Sequence, residues 1–592
     1  MSILYFLLFS YVLLSISLYT IFKKANIPPY KAFIPIINCV EWCRIIGRPT
    51  WWAALLLLPV INIFILAGMS IDLVRSFKKY SFGKSVLAVI FPPLAFIKIG
   101  YTSKDQYDGP TLTKEKLHHD RLFELYTQGA TEKYRMFKEA SPYYKSPSRE
   151  WTEAVVFSVF AAAFIRLFTI EAYAIPTSSM EGSLLVGDHL FVSKLHYGLR
   201  TPETIAMVPL LHNRLPYFET ESYFKNPSLT PYRLPAIEQL SHNMPVVFNM
   251  PEGDSVFVTP GRTWSLYDYK RDAIPTATKK LIDQGTYSLV ARPIDKSDHY
   301  VKHCIATPGD MMQIIDRQVY INGVKAENPK KLQFRYLVKH PTPLNEKKFA
   351  EWGISEEDQQ YYNSKGANYK MLVLSNQQKE QVQSMDRRIE IIPNDMYWVE
   401  FPKDFTLSEL SNIGVDNGNI RTSSSNNRLL LTLTKEQVST IQGLDSAIKV
   451  KAYEESDRLF PHDPTNFKGW SVDNYGPIWV PKAGATITIT PNTIAPYRRI
   501  IEVYEENDLT IEEGRIYING IKTTQYTFKQ DYYWMMGDNR NNSEDSRTWG
   551  YVPETHILGK PLFIFFSTKL NDISEGIYWN RILTSASKAD VE

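Results

Sequence analysis

Three short stretches concentrate the side chains able to break a covalent bond. The first, Ala174-Ile175-Pro176-Thr177-Ser178-Ser179-Met180, puts hydroxyl groups directly after a hydrophobic segment. A serine hydroxyl becomes a nucleophile when a neighbouring base takes its proton. The second stretch, Tyr300-Val301-Lys302-His303-Cys304-Ile305-Ala306, supplies a candidate base. In an extended strand Lys302 shares one face with Tyr300, Cys304 and Ala306, a face otherwise uncharged. Desolvation there disfavours the ammonium, and a base acting near neutral pH needs a shift of roughly three units from about 10.4. The third, Gly537-Asp538-Asn539-Arg540-Asn541-Asn542-Ser543-Glu544-Asp545-Ser546-Arg547, is too dense in hydrogen-bonding groups for a strand and reads as an organised loop. Its Asp and Arg side chains can fix a backbone as ion pairs, and a hydroxyl such as Ser543 can orient a neighbouring amine. Each stretch alone also has a plain structural reading: a turn after proline, a solvent-facing strand lysine, a solvated polar turn.

In this order, the three stretches closely resemble bacterial signal peptidase I. In that family the nucleophile stretch usually reads Pro-Ser-x-Ser-Met-x-Pro-Thr-Leu. The base stretch reads Tyr-x-Lys-Arg followed by Pro-Gly-Asp, and the last reads Gly-Asp-Asn-Arg-x-x-Ser-x-Asp-Ser-Arg. Here they stand as Pro176 to Leu184, Tyr300 to Asp310 and Gly537 to Arg547, the last complete, with Gly550 and Val552 beyond it. Arg166, Phe168 and Glu171 before the nucleophile, and Gly187, Asp188, Phe191 and Lys194 after it, are also similar to the family. Matching stretches cover about a third of the chain.

The resemblance implies a set of roles. Ser179 is the nucleophile, Lys302 the general base, and Thr177 with the Ser179 backbone amide the oxyanion hole. Ser543 is the hydroxyl that positions Lys302, with Asp545 and Arg547 in structural support. It implies amide hydrolysis through an acyl-enzyme, without cofactor or metal, on preprotein signal peptides with small residues before the cleavage site. Such a peptide would add as a strand to the edge of a β-domain. The chain departs from the family pattern in four places. Thr177 replaces a serine, Gly182-Ser183 replaces Pro-Thr, His303 replaces the arginine after the base, and no Arg-Gly-Asp precedes Met244-Pro245-Val246-Val247-Phe248. Two other readings stay open: a Ser-Lys protease of the self-cleaving repressor type, and a membrane-tethered β-rich binding or assembly module without catalysis.

The elements that would position these residues are mainly β. From about residue 186 the sequence turns to short alternating runs rich in Val, Ile, Tyr and Thr. Residues 172–324 and 491–592 read as two parts of one catalytic β-domain with a signal peptidase I-like β-fold. Two copies of a hairpin signal, Tyr320-Ile321-Asn322-Gly323-Val324 and Tyr517-Ile518-Asn519-Gly520-Ile521, put Asn-Gly where a type I′ turn needs positive φ twice. Between them, 325–490 reads as an inserted accessory region, partly helical around Ser355 to Arg388, with an Asn/Ser-rich loop at Ser411 to Asn427 and no catalytic signature.

Upstream lies an α-helical membrane region, 1–100, with up to three hydrophobic segments. A charged cytoplasmic linker, 101–150, and a transmembrane anchor, 151–171, follow. Ile3 to Phe22 is uncharged and long enough to cross a hydrocarbon core of about 30 Å. Trp51 to Ile71 is interrupted by Pro59 and Asn62, and Ser85 to Ile97 by Pro92 and Pro93, so both fit re-entrant segments. The phrase Ile34-Pro35-Ile36-Ile37-Asn38 recurs as Leu58-Pro59-Val60-Ile61-Asn62, a hint of an internal repeat. Ala154 to Ile170 is broken only by Arg166. Basic flanks, Lys23, Lys24, Lys31, Arg44 and Arg48 on one side and Lys133, Arg135, Lys138, Lys145 and Arg149 on the other, should be cytoplasmic. That predicts a multi-pass protein of the bacterial cytoplasmic (inner) membrane, in contact with lipid, its catalytic domain on the periplasmic or external side.

Composition agrees with this class. With 592 residues, 44% hydrophobic and 22% charged, the chain can build several cores. A net charge of +3 gives no basic footprint for nucleic acid. Cys39, Cys43 and Cys304 offer neither a disulfide framework nor zinc-ligand spacing. Nothing in the sequence fixes the oligomeric state.

Overall fold

The computed structural model describes residues 3–586 apart from 59–60, 205, 214, 216–219, 227, 252, 254, 261, 271, 273, 330, 341–343, 346, 355–357, 362–368, 403–409, 417–418, 426, 455–457 and 570. Pro59 and parts of the 355–388 and 411–427 stretches therefore lie outside the described residues. The chain forms two compact units: Met1–Phe168 with Thr204–Tyr232, and Thr169–Glu203 with Arg233–Glu592.

The first unit is helical. Its elements include Ile3–Lys24, Ile37–Ile46, Ile61–Arg75, Phe82–Ile90, Pro92–Tyr101, Thr111–Thr127 and Pro147–Phe168. The two recurring Pro-Ile-like phrases each run into a helix start, at Ile37 and at Ile61. Leu18, Ile21, Phe22, Trp42, Phe77 and Phe96 make its core. The end of the Pro92–Tyr101 helix leaves carbonyls unpaired, and Lys24 Nζ donates to Ile99, Thr102 and Asp105 oxygens at 2.8, 2.6 and 2.7 Å. Phe82–Ile90 and Pro92–Tyr101 meet at an angle of 120°, which agrees with a broken segment. Among the described residues, Pro147–Phe168 alone is a single helix long and apolar enough to cross a membrane. The bent pair adds a second span only if it crosses as one, so the multi-pass arrangement is not supported further. Hydropathy read along the chain cannot separate a lipid-facing helix from one packed on its neighbours. In Ile3–Lys24, Ser15 and Ser17 are fully buried while Tyr5, Leu8 and Phe9 are exposed.

The second unit is mainly β. Its largest sheet is antiparallel throughout, with the strand order Ile170–Ala174, Asp188–Ser193, Ile557–Lys569, Pro245–Asn249, His299–Ala306, Tyr532–Met536, Val552–Pro553. His299–Ala306 lies between two partners and is buried from Lys302 onward. Its end enters the largest core, where Ile305, Ala306, Phe460, Tyr475, Trp534 and Tyr551 pack together. Both Asn-Gly hairpins form as the sequence predicts: φ is 54° and 78° at Asn322 and Gly323, and 51° and 76° at Asn519 and Gly520.

The 325–490 segment holds an internal duplication. Phe334–Lys339, Gln359–Tyr361, Tyr369–Leu374, helix Asn376–Gln383 and Glu390–Pro393 are followed by Met396–Glu400, Ile420–Ser425, Arg428–Thr432, helix Lys435–Leu444 and Lys449–Ala452. Each copy has the sheet order second, third, first, fourth strand. Both helices open on a reciprocal capping box, Ser375 with Gln378 and Thr434 with Gln437. Leu372, Leu374, Val382 and Ile389 fill the first core, and Leu431, Leu433, Ile441 and Ile448 fill the second at the same positions. The Asn/Ser-rich stretch expected as a loop contributes the strand Ile420–Ser425. The self-contained part is narrower than the expected insertion: Leu459, Phe460, Trp470, Tyr475, Ile478 and Val480 belong to the main core, and Tyr475–Trp479 pairs with Met311–Ile315.

Loss of a capping hydroxyl costs ~1 kcal/mol, which is about fivefold in local opening. Thr434→Ala should therefore speed hydrogen exchange in the Lys435–Leu444 helix by about that factor, and Ser375→Ala should do the same in Asn376–Gln383. Unchanged exchange in both would remove the boxes as what starts these helices.

Candidate active site

The nucleophile stretch is held between a strand end and a buried turn. Ile170–Ala174 pairs with Asp188–Ser193, and the Ile175 amide and carbonyl stay tied to Asp188 and Gly187 at 2.8 and 3.0 Å. Pro176 has no amide to extend the ladder, and the chain turns through a short helical turn at Ser178–Met180. Ile175, Met180 and Leu184 are buried in one apolar cluster, which pins the turn. Ser179 is left half-buried and Thr177 exposed on extended backbone.

Lys302 reaches this turn from the central strand. Lys302 Nζ donates to Ser179 Oγ at 2.5 Å, although the residue is only 2% exposed. Cys304 and Ala306 on the same face are fully buried, and the amine lies 5.7 Å from the centre of the Tyr300 ring. Val246 stands opposite on the neighbouring strand. Burial lowers the Lys302 pKa to about 8, against the opposing pull of Asp545, Asp538 and Glu544, while Arg547 pushes it down.

The Gly537–Arg547 loop keeps those carboxylates occupied. Asp545 takes Arg547 through two contacts, 2.7 and 2.9 Å, and also accepts from the backbone amides of Arg547 and Gly537 at 3.1 and 3.2 Å. Burial alone would raise the Asp545 carboxyl, but the guanidinium outweighs it and holds it below the usual range. Arg547 also donates to the Arg540 carbonyl at 2.7 Å. Gly537 is required by contact: a Cβ there would overlap the Ser179 carbonyl and the Ser543 hydroxyl. Ser543 Oγ is buried, with no hydrogen-bond partner among the described residues.

Two of the four departures from the family pattern, Gly182-Ser183 and His303, meet at one carboxylate. His303 Nδ1 lies 2.9 Å from Asp538 Oδ1, the Ser183 hydroxyl donates to Asp538 Oδ2, and a Cβ on Gly182 would strike the same side chain. Burial raises the Asp538 carboxyl, and His303 and Ser183 together bring it below its ordinary value. Beside the dyad is a cleft of about 450 Å³ lined by Ile175, Met180, Leu190, Val247, Tyr300 and Val301 among others. Arg262, on its rim, pairs with Glu544 at 2.5 Å.

The sequence reading passed over several groups at the site. Arg581 clamps Asp188 at 2.5 and 3.0 Å and reaches the Ser183 carbonyl at 3.0 Å. Asn539 and Asn542 bond to Ser178, and both also reach Asp358 in the first repeat. The density of the last motif pointed to the two asparagines; nothing local marked Asp358 or Arg581.

Comparison with known proteins adds two family matches. Residues 148–400 and 486–566, more than half of the chain, match the family described as signal peptidase, peptidase S26. Residues 30–110 match a family of unknown function, DUF5684. Among curated relatives, signal peptidase I of Haemophilus influenzae is 34% identical over 98 residues, 14% of this chain and 28% of that protein. Signal peptidase I of Buchnera aphidicola subsp. Baizongia pistaciae is 22% identical over 452 residues, 75% of this chain and 86% of that protein. That of Aquifex aeolicus is 44% identical over 50 residues, 8% and 20%. The chain thus spans less than a third of the first and third of these proteins and most of the second.

The electrostatics give a direct test. The Lys302 ε-methylene, followed by NMR, should titrate with a midpoint at about 8. Glu544→Gln removes a carboxylate that raises it, so the midpoint should fall by a few tenths of a pH unit. A midpoint near the free-lysine value of about 10.4 would contradict the desolvated site.

Proposed function

The chain belongs to the signal peptidase family, peptidase S26, and from that premise we propose that it is a membrane-anchored serine endopeptidase that removes N-terminal signal peptides from exported preproteins. The observation that carries this reading is the 2.5 Å contact between Ser179 Oγ and an amine that burial has moved toward neutrality. At pH 7 about a tenth of an amine with a pKa near 8 is already unprotonated, enough to serve as a base. Neutral Lys302 takes the Ser179 proton as Oγ attacks the scissile carbonyl. The Thr177 hydroxyl and the Ser179 amide stabilise the oxyanion. The Lys302 ammonium then protonates the departing amine, leaving an acyl-enzyme on Ser179. Water, deprotonated by the same lysine, releases the signal peptide.

Ser543 is the hydroxyl that orients Lys302, a role supported by a buried oxygen left without a hydrogen-bond partner among the described residues. Asp545 and Arg547 hold the loop that carries it. The apolar cleft beside the dyad suits an extended leader peptide whose residues next to the cut are small. The helix Pro147–Phe168 is the anchor, and the nucleophile stretch follows it closely in sequence. Basic residues from Lys133 to Arg149 stay in the cytoplasm, which puts everything after Glu171 on the periplasmic or external side of the bacterial cytoplasmic membrane.

Ser179→Ala, Lys302→Met and Lys302→Arg should each reduce cleavage of a preprotein by roughly 10,000-fold or more in folded protein, since arginine stays protonated. Ser543→Ala should slow cleavage without abolishing it, and the acidic limb of the wild-type rate should have its midpoint at about 8. Substantial cleavage by Lys302→Met would leave Ser179 needing another base. For orientation, cysteines placed at the exposed positions Lys522 and Thr131, with the native cysteines replaced, should differ in intact spheroplasts. An impermeant thiol reagent should label the first and spare the second; the reverse pattern would refute the topology.

A further inference from the structure

We propose that Asp358, in the first copy of the inserted repeat, is a positioning residue for the nucleophile turn. Its carboxylate orients Asn539 and Asn542, and these two amides hold Ser178 beside Ser179. This rests on the proposed role of Ser179 and adds to it a control from a region that holds none of the catalytic stretches.

The geometry is a closed bridge. Asp358 is 1% exposed, and its carbonyl is anchored by the Val373 amide at 3.0 Å in the repeat's own sheet. Asp358 Oδ1 accepts from Asn539 Nδ2 at 2.8 Å and from Asn542 Nδ2 at 3.2 Å. Each amide carries two hydrogens, and each sends the other one to Ser178. Asn542 Nδ2 reaches Ser178 Oγ at 3.1 Å, and Asn539 Nδ2 approaches the Ser178 carbonyl at 3.5 Å. The Asn539 backbone amide closes the bridge on the Ser179 carbonyl at 3.2 Å. A single carboxylate oxygen that accepts from both amides fixes which way both face. Without it, Asn539 can flip its oxygen toward the Ser178 carbonyl, a second acceptor, and Asn542 can accept from the Ser178 hydroxyl instead of donating to it.

Gln333, directly before the repeat's first strand, grips the same loop by its backbone as well. The Gln333 amide donates to the Asp538 carbonyl, and the Arg540 amide donates to the Gln333 carbonyl, both at 3.0 Å. The loop is thus placed by backbone pairing, and Asp358 sets the side chains that face the nucleophile turn. A serine and a base in contact tolerate little misplacement, since a shift of about 1 Å costs on the order of a hundredfold in rate.

The test uses the full chain with Asp358→Ala and Asp358→Asn, the latter keeping one acceptor oxygen. Acylation of Ser179 by a β-lactam-type probe is measured in single turnover, together with hydrogen exchange at the Asn539 amide in a Ser179→Ala background. Asp358→Ala should lower the acylation rate constant by roughly 10- to 100-fold, with the probe's saturation constant and the pH midpoint unchanged. Asp358→Asn should recover the rate to within about threefold. Asn539 exchange should rise in Asp358→Ala and return in Asp358→Asn. A general loss of folding would lower the fraction of acylatable enzyme rather than the rate constant of the remainder. A wild-type rate in Asp358→Ala, or a loss that Asp358→Asn does not recover, overturns the proposal. Should the wild-type serine not be acylated at all, the mechanism proposed above fails, and the exchange measurement decides the positioning role by itself.

Discussion

Keeping one lysine amine out of water is the constraint that the catalytic unit is built around. Moving its pKa from the ordinary 10.5 to about 8 costs about 3 kcal/mol whenever the folded chain carries the ammonium. The sign follows from the depressed folded value. The penalty is complete below about pH 8, fades as pH rises toward 10.5, and vanishes above that. Packing on both sides of the central strand offsets it, with Val246 opposite Lys302 and Cys304 and Ala306 fully buried along the same face. A nearby carboxylate could have removed the penalty by pairing with the amine, and would have removed the base with it. Asp545 is instead spent on Arg547 and two backbone amides, so it does not pair with the amine, although its charge remains the strongest pull raising the Lys302 pKa against burial.

The same logic explains why two departures from the family pattern, Gly182-Ser183 and His303, coincide. A buried Asp538 needs donors on both oxygens. An arginine after the base would offer a fork of donors and a permanent charge; a histidine offers one ring nitrogen on this side. Here Oδ1 takes His303, Oδ2 takes the Ser183 hydroxyl, and Gly182 leaves room for the carboxylate to approach. Gly182, Ser183 and His303 therefore form one local solution, although His303 sits far from the Gly182-Ser183 pair in the chain.

What could be read from the sequence was what is local. Asn-Gly between alternating apolar residues specified both hairpins, since so few residues accept positive φ twice. The density of the Gly537–Arg547 stretch announced an organised loop, and the uncharged face around Lys302 announced a buried one. The duplication between Phe334 and Ala452 was hidden, because its copies agree mainly at buried aliphatic positions and cap residues that many unrelated segments share. In the N-terminal region the apolar runs were legible but not which faces pack inward, as the buried serines and exposed aromatics of Ile3–Lys24 show. Asp358 and Arg581 had no local signal, because each matters only through a partner more than a hundred residues away in sequence.

That last class of residue bears on why so simple a chemistry sits in so large a chain. A loop with eleven mostly polar residues has many hydrogen-bonded states of similar energy, and only a few put a hydroxyl and an amine in contact. Internal pairs such as Asp545 with Arg547 remove some of those states, and the forced approach of Gly537 to the Ser179 carbonyl removes more. Pairing of Gln333 with Asp538–Arg540 fixes the loop from outside, just ahead of a repeat with its own sheet and capped helix. Constraints from separate elements narrow the same ensemble, so the nucleophile's geometry is set by the packing of the whole β unit rather than by the short motif alone.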